Sequence, residues 1–165
     1  VDLAYKIASN DTYPSWGHMV KNGATTTWEL WNGETADPAM NSGNHVMLLG
    51  DLLIWYYEDL AGIKCAPGTV AYKKLLMEPK FPEGLNHVKA AYKSVYGDIR
   101  SEWTKEGKTF SWDITIPGNT SAIVRLPKEL NIISPNQKGV RKVIESESAM
   151  EVELGSGTYH LTNSK

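Results

Sequence analysis

The chain has 165 residues, 41% of them hydrophobic, which is enough apolar material for a packed core and excludes intrinsic disorder. A formal net charge of −2 and a pI near 6.1 give no basis for a polyanionic partner. Basic residues fall in short pairs such as Lys73-Lys74 and Arg141-Lys142, too few for a nucleic-acid face. The one cysteine, Cys65, excludes a disulfide within the chain and reads as a small buried filler, since no histidine lies near it in sequence.

The opening "VDLAYKIASNDTYPSW" reads as the tail of a helix already under way, as expected of a piece excised from a longer protein. The cell compartment therefore stays open. "MVKNG" at 19–23 ends a short helix, with Gly23 where a left-handed cap is usual. From 41 to 61 the spacing predicts one helix of about 20 residues, or roughly 30 Å. Asn41 or Ser42 would cap its start, His45 would lie on its opening turn, and Gly62 would close its end.

Leu49, Leu52, Leu53, Tyr56 and Leu60 form one stripe on that helix, widened by Val46 and Tyr57. Such a circumference calls for neighbouring helices that this chain does not supply. A membrane span is excluded because His45, Asp51, Glu58 and Asp59 interrupt the run.

After Pro67 the period becomes two. In "TFSWDITIP" Phe110, Trp112, Ile114 and Ile116 face one way, while Ser111, Asp113 and Thr115 face the other. Ile99, Ser101 and Trp103 share a face of the preceding strand, and Glu106-Gly107 makes the hairpin between the two. Further strands are predicted over 70–77, 87–92, 121–126, 139–144, 149–154 and 158–162. Turn signals separate them: "PEG", "YGD", "PGNT", "SPNQKG" and "GSG". About eight short strands at this spacing indicate an antiparallel sandwich of roughly 100 residues.

Chemistry-bearing motifs are few. There is no phosphate-binding glycine loop and no Gly-x-Ser-x-Gly elbow, and His18, His45, His87 and His160 lack metal-ligand spacing. His87 and His160, in predicted strands, read as surface or core-edge residues. The unusual position is Glu29, held between indoles in Trp28-Glu29-Leu30-Trp31. Apolar rings would raise its pKa and hydrogen-bond donors would keep it ionised, and either condition makes a useful acid or base. The competing reading is a solvent-facing glutamate beside two buried tryptophans. His45 faces the same loop, where it is either a ligand donor or a capping residue.

Together, "YPSWGHMVKNGATTTWELWNG" and "DPAMNSGNHVMLLGDLLIWYYEDLAGI" closely resemble the end of the catalytic domain of bacterial α-L-rhamnosidases. These are inverting glycoside hydrolases built on an (α/α)6 barrel. "AYKKLLMEPKF", "VKAAYKSVYGDIRSEW" and "TIPGNTSAIVRLP" resemble, in order, the C-terminal β-sandwich of the same family. The resemblance implies an α+β fragment, with terminal helices of the barrel at 1–63 and an antiparallel β-sandwich at 64–165. It makes Glu29 the general base and His45 a sugar contact, with Trp28 and Trp31 walling the pocket.

The resemblance implies no cofactor and no metal. The implied partners are rhamnose-containing glycosides or polysaccharides and the rest of the parent chain. Two departures fall in the motif region: a shorter loop between Glu29 and His45, and Leu30 where the family commonly has Arg. Inverting hydrolysis also needs a carboxylic acid roughly 6.5–9.5 Å from the base. The family's acid lies in a segment well upstream of this region, so the 165 residues alone are expected to be inactive. Two other readings of the residues stand beside this one: a non-catalytic carbohydrate-binding or structural sandwich, and an (α/α)6 enzyme acting on a different glycoside.

Overall fold

Two short helices open the chain. Helix α1 spans Asp2–Ser9 and α2 spans Trp16–Lys21. Ser15 caps α2, its Oγ accepting the His18 N–H at 2.9 Å. Past the end of α2, Gly23 takes φ +83°, the left-handed cap read from the sequence. The computed structural model describes residues 1–133 and 138–163, so the Ser-Pro-Asn-Gln part of the predicted "SPNQKG" turn lies outside the described residues. The chain divides into two compact units, Val1–Trp55 and Tyr56–Lys165.

The single helix predicted over 41–61 does not form. Residues 38–45 are turn and irregular chain, and helical geometry begins only at Val46. It then changes pitch twice: a 3-10 turn at Val46–Leu49, α3 at Gly50–Trp55, and a π-turn at Tyr56–Leu60. The cause is local. Asn41, Ser42 and Asn44 spend their polar groups on residues 26–30, and short polar side chains of this kind offer the backbone an alternative to a helix. Gly43 and Gly50 further weaken continuity. Of the predicted stripe, Leu60 is buried, whereas Val46, Leu53 and Tyr57 are exposed.

Among the described residues the second unit has nine strands. They are β1 (Ile63–Cys65), β2 (Lys74–Met77), β3 (His87–Ser94), β4 (Gly97–Glu106), β5 (Thr109–Ile116), β6 (Ser121–Pro127), β7 (Val140–Glu145), β8 (Ala149–Leu154) and β9 (Gly157–Thr162). Five form one sheet in the order β1-β2-β6-β8-β7, and four form the other in the order β3-β4-β5-β9. Pairing is antiparallel except for β2 and β6, which run parallel.

Alternation sets the core, as the period of two requires. Ile99, Ser101 and Trp103 of β4 and Phe110, Trp112, Ile114 and Ile116 of β5 are all buried. All but Ser101 meet Leu75, Met77, Ala122, Val124, Leu126, Met150, Val152 and Leu154 of the other sheet in one apolar cluster. Trp103 pairs with Trp112 across β4 and β5. Phe81 packs edge-on against Trp103 and Phe110.

The residues between the helical turns and β1 belong to this core. Trp103 Nε1–H donates to the Leu60 carbonyl at 2.7 Å, and Ser101 Oγ–H donates to the Ala61 carbonyl at 2.6 Å. Gly62 then turns the chain at φ +72°, where an added Cβ would collide with the Pro79 nitrogen. Strand β1 was not predicted. The strand expected over 70–77 starts only at Lys74, because Ala71 and Tyr72 both hold positive φ (54° and 62°). Cys65 is half-buried, its Sγ 3.3 Å from the Thr69 carbonyl. His87 and His160 stand at the surface beside Glu102 and Asp113.

Candidate active site

The sequence candidates lie in the first unit, on two segments that run side by side. The Thr27 carbonyl accepts the His45 N–H at 2.7 Å, and the Ser42 carbonyl accepts the Glu29 N–H at 2.9 Å. Ser42 answers with its own N–H, which donates to Glu29 Oε2 at 3.0 Å. The Leu30 N–H donates to Asn41 Oδ1 at 3.1 Å, and Thr26 Oγ1–H to Asn44 Oδ1 at 3.3 Å. Residues 26–30 are thus laced to 41–45 by both main chain and side chains.

This lacing brings Glu29 and His45 together. Glu29 Oε2 lies 3.6 Å from His45 Nδ1, with the two side chains 43% and 29% exposed, so both remain open to a ligand. His45 Nδ1 itself is shielded from solvent and has no hydrogen-bond partner at normal distance. His45 is not on the opening turn of a long helix. It immediately precedes the 3-10 turn at Val46, where its side chain makes no capping bond. That frees its ring for other contacts.

The two motif tryptophans occupy different environments. Trp28 is buried, and Gly33 lies flat against its indole: a Cβ there would come within 2.5 Å of Cδ2. Trp31 is 41% exposed and meets Trp16 edge-on at 5.7 Å between ring centres. With Leu3, Ile7, Pro14 and Trp16 it lines a cleft of about 410 Å³ whose wall includes neither Glu29 nor His45.

Sequence reasoning missed two features. Asn41 and Ser42 were read as helix caps, yet they hold the Glu29 segment; an Asn-Ser-x-Asn run is also a turn signature, and that was the available signal. The other is His18, whose Nε2 meets Glu34 Oε1 at 3.0 Å while Tyr13 packs edge-on against its ring. Glu34's own main-chain N–H holds its carboxyl below the usual carboxylate range; desolvation opposes this, and His18 adds to the lowering. Among the described residues no three of His, Cys, Asp and Glu group to hold a metal ion. No described helix is long and apolar enough to cross a membrane.

Residues 1–60 match the bacterial alpha-L-rhamnosidase 6 hairpin glycosidase domain, and residues 62–141 match the bacterial alpha-L-rhamnosidase C-terminal domain. An α-L-rhamnosidase of Streptomyces avermitilis is 30% identical over 98% of this chain, and one of Alteromonas sp. is 33% identical over 81%. The chain spans 16% and 15% of the length of those two proteins. The crystal structure of the Streptomyces avermitilis α-L-rhamnosidase complexed with L-rhamnose is similar at a TM-score of 0.83 and 29% identity, covering 99% of this chain and 16% of that one. An α-L-rhamnosidase structure from Dictyoglumus thermophilum gives a TM-score of 0.83 and 32% identity, with 99% and 19% covered. The chain belongs to the bacterial α-L-rhamnosidase family of glycoside hydrolases, and corresponds to the C-terminal part of the full enzyme.

Proposed function

We propose that this chain carries the general-base side of an inverting α-L-rhamnosidase site, with residues 1–63 contributing the last helices of the (α/α)6 barrel and residues 64–165 forming the C-terminal β-sandwich. The substrate is a terminal α-L-rhamnosyl group on a glycoside or polysaccharide. The observation that carries this reading is the pairing of a partly exposed carboxylate, Glu29, with His45 at 3.6 Å, held by reciprocal bonds between Glu29 and Ser42.

In the reaction, Glu29 takes a proton from a water whose oxygen attacks C1. The bond from C1 to the leaving oxygen breaks as a carboxylic acid elsewhere in the full enzyme protonates that oxygen. The product is the β-sugar. His45 presents Nδ1 toward Glu29, so its Nε2 is the nitrogen offered to a sugar hydroxyl. Trp28 supports the base from the buried side, and Trp31 offers an exposed ring face to the substrate. A relative crystallised with L-rhamnose supports the choice of sugar.

Substitution of Glu29 in the full-length enzyme tests the assignment. Glu29→Gln should lower kcat by about a thousandfold with KM little changed, within the usual worth of general-base help, roughly 10²–10⁴. Added azide, which needs no base, should restore turnover and yield the β-rhamnosyl azide. Hydrolysis by Glu29→Gln at a near-normal rate would remove Glu29 from the chemistry.

A further inference from the structure

We infer that Asn41 is a positioning residue for Glu29, and that the clamp it belongs to selects which carboxylate oxygen does the work. The inference rests on the general-base reading above. Glu29 is gripped twice by one residue: its N–H donates to the Ser42 carbonyl at 2.9 Å, and its Oε2 accepts the Ser42 N–H at 3.0 Å. Main chain and side chain of the glutamate are therefore closed into a ring through Ser42. A hydrogen bond to an ionised carboxylate is among the stronger ones available, so this contact fixes the side-chain torsions.

Asn41 supplies the next rung. Its Oδ1 accepts the Leu30 N–H at 3.1 Å, which holds residue 30 to residue 41 as residue 29 is held to residue 42. Ser42 is steadied in turn, its Oγ accepting the Asn44 N–H at 3.2 Å. Neither neighbour of the carboxylate uses Oε1: the Ser42 N–H and His45 Nδ1 both face Oε2. Oε2 is the anchored oxygen, and Oε1 is the one that accepts the proton from the attacking water.

Asn41 makes no bond to the carboxylate itself, so it acts only through the placement of Glu29. Releasing the Leu30 N–H lets the 29–30 peptide drift from 41–42, and displacement of a reacting group by about 1 Å can cost on the order of a hundredfold in rate.

The test uses the full-length enzyme with p-nitrophenyl α-L-rhamnoside. Asn41→Ala should lower kcat for hydrolysis by roughly ten- to a hundredfold and leave KM within about twofold. The azide reaction is then compared in Glu29→Gln and in Glu29→Gln/Asn41→Ala. It needs no base, so the two rates should agree within about twofold, whereas general damage to the site or to folding would lower the second. An Asn41→Ala enzyme that hydrolyses within twofold of the parent, or an azide rate that falls with it, overturns the inference. Failure of the general-base reading looks different: Glu29→Gln alone would then retain hydrolysis.

Discussion

Ser101 sits on the buried face of β4 with no accessible surface, and its hydroxyl is committed twice. It donates to the Ala61 carbonyl at 2.6 Å and accepts the Trp112 Nε1–H at 2.9 Å. Ser101→Ala removes both bonds and leaves an indole N–H and a peptide carbonyl unpaired in a dry core. Each orphaned group costs about 1–3 kcal/mol, so the sum is roughly 2–6 kcal/mol with a centre near 4. Ser94 is the control because it has the same bonding pattern in a less buried place. Its Oγ donates to the Gly97 carbonyl at 2.8 Å and accepts the Tyr96 N–H at 3.1 Å. Water can replace both partners there, so Ser94→Ala should cost about 1 kcal/mol or less. Hydrogen exchange of the β4 and β5 amides reads the difference locally. Protection should fall on the order of a thousandfold in Ser101→Ala and less than about tenfold in Ser94→Ala. Equal losses in the two variants would show that burial does not set the cost, and the reasoning would fail.

Gly33→Ala should drive a methyl into the Trp28 indole, shift the neighbouring Glu29, and lower kcat/KM of the full-length enzyme at least about tenfold; unchanged kinetics would mean the ring can yield. Tyr159 is buried, which raises its phenol above the ordinary value of 10.0 against a smaller opposing effect of Arg141. A raised folded-state value means stability that is intact below the unfolded pKa, near pH 10, and lost as pH climbs through the folded one. Absorbance near 295 nm should show Tyr159 titrating late and together with alkaline unfolding, and Tyr159→Phe should remove that limb. The 165-residue chain alone should release no p-nitrophenol from its α-L-rhamnoside, since inverting hydrolysis needs an acid besides the base proposed at Glu29; turnover that disappears in Glu29→Gln would refute this.

The sandwich was legible because its signal is local and repetitive. A half-buried strand writes its orientation into alternate residues, and the Phe110-Trp112-Ile114-Ile116 face survives intact in the core. What the alternation cannot encode is pairing. The parallel contact of β2 with β6 joins residues some 47 positions apart, from Lys74 to Ser121, and no turn chemistry announces it. Strand β1 is three residues long, too short for a period to show, and exists because Ile63 and Cys65 find Met77 and Leu75 across the sheet. Tyr72 carries apolar bulk suited to a strand, yet its left-handed backbone ends the ladder before Lys74.

In the helical region the same reasoning overreached for an identifiable cause. Apolar spacing from Val46 to Leu60 is helical, and helical turns are found there, but the spacing says nothing about polar residues just upstream. Asn41 and Ser42 can cap a helix or bind a neighbouring strand-like segment with the same atoms. Local sequence favours the first use; the Leu30 N–H and the Glu29 carboxylate, eleven and thirteen residues away, decide for the second. The candidate site depends on that outcome. Had the helix begun at Asn41, the Ser42 N–H would have pointed along that helix's axis, out of the side-by-side pairing that now gives Oε2 its hydrogen bond next to His45 Nδ1 at 3.6 Å. The shortened helix and the anchored glutamate are therefore one structural event, and the polar run that misled the boundary is what orients the residue proposed as the base.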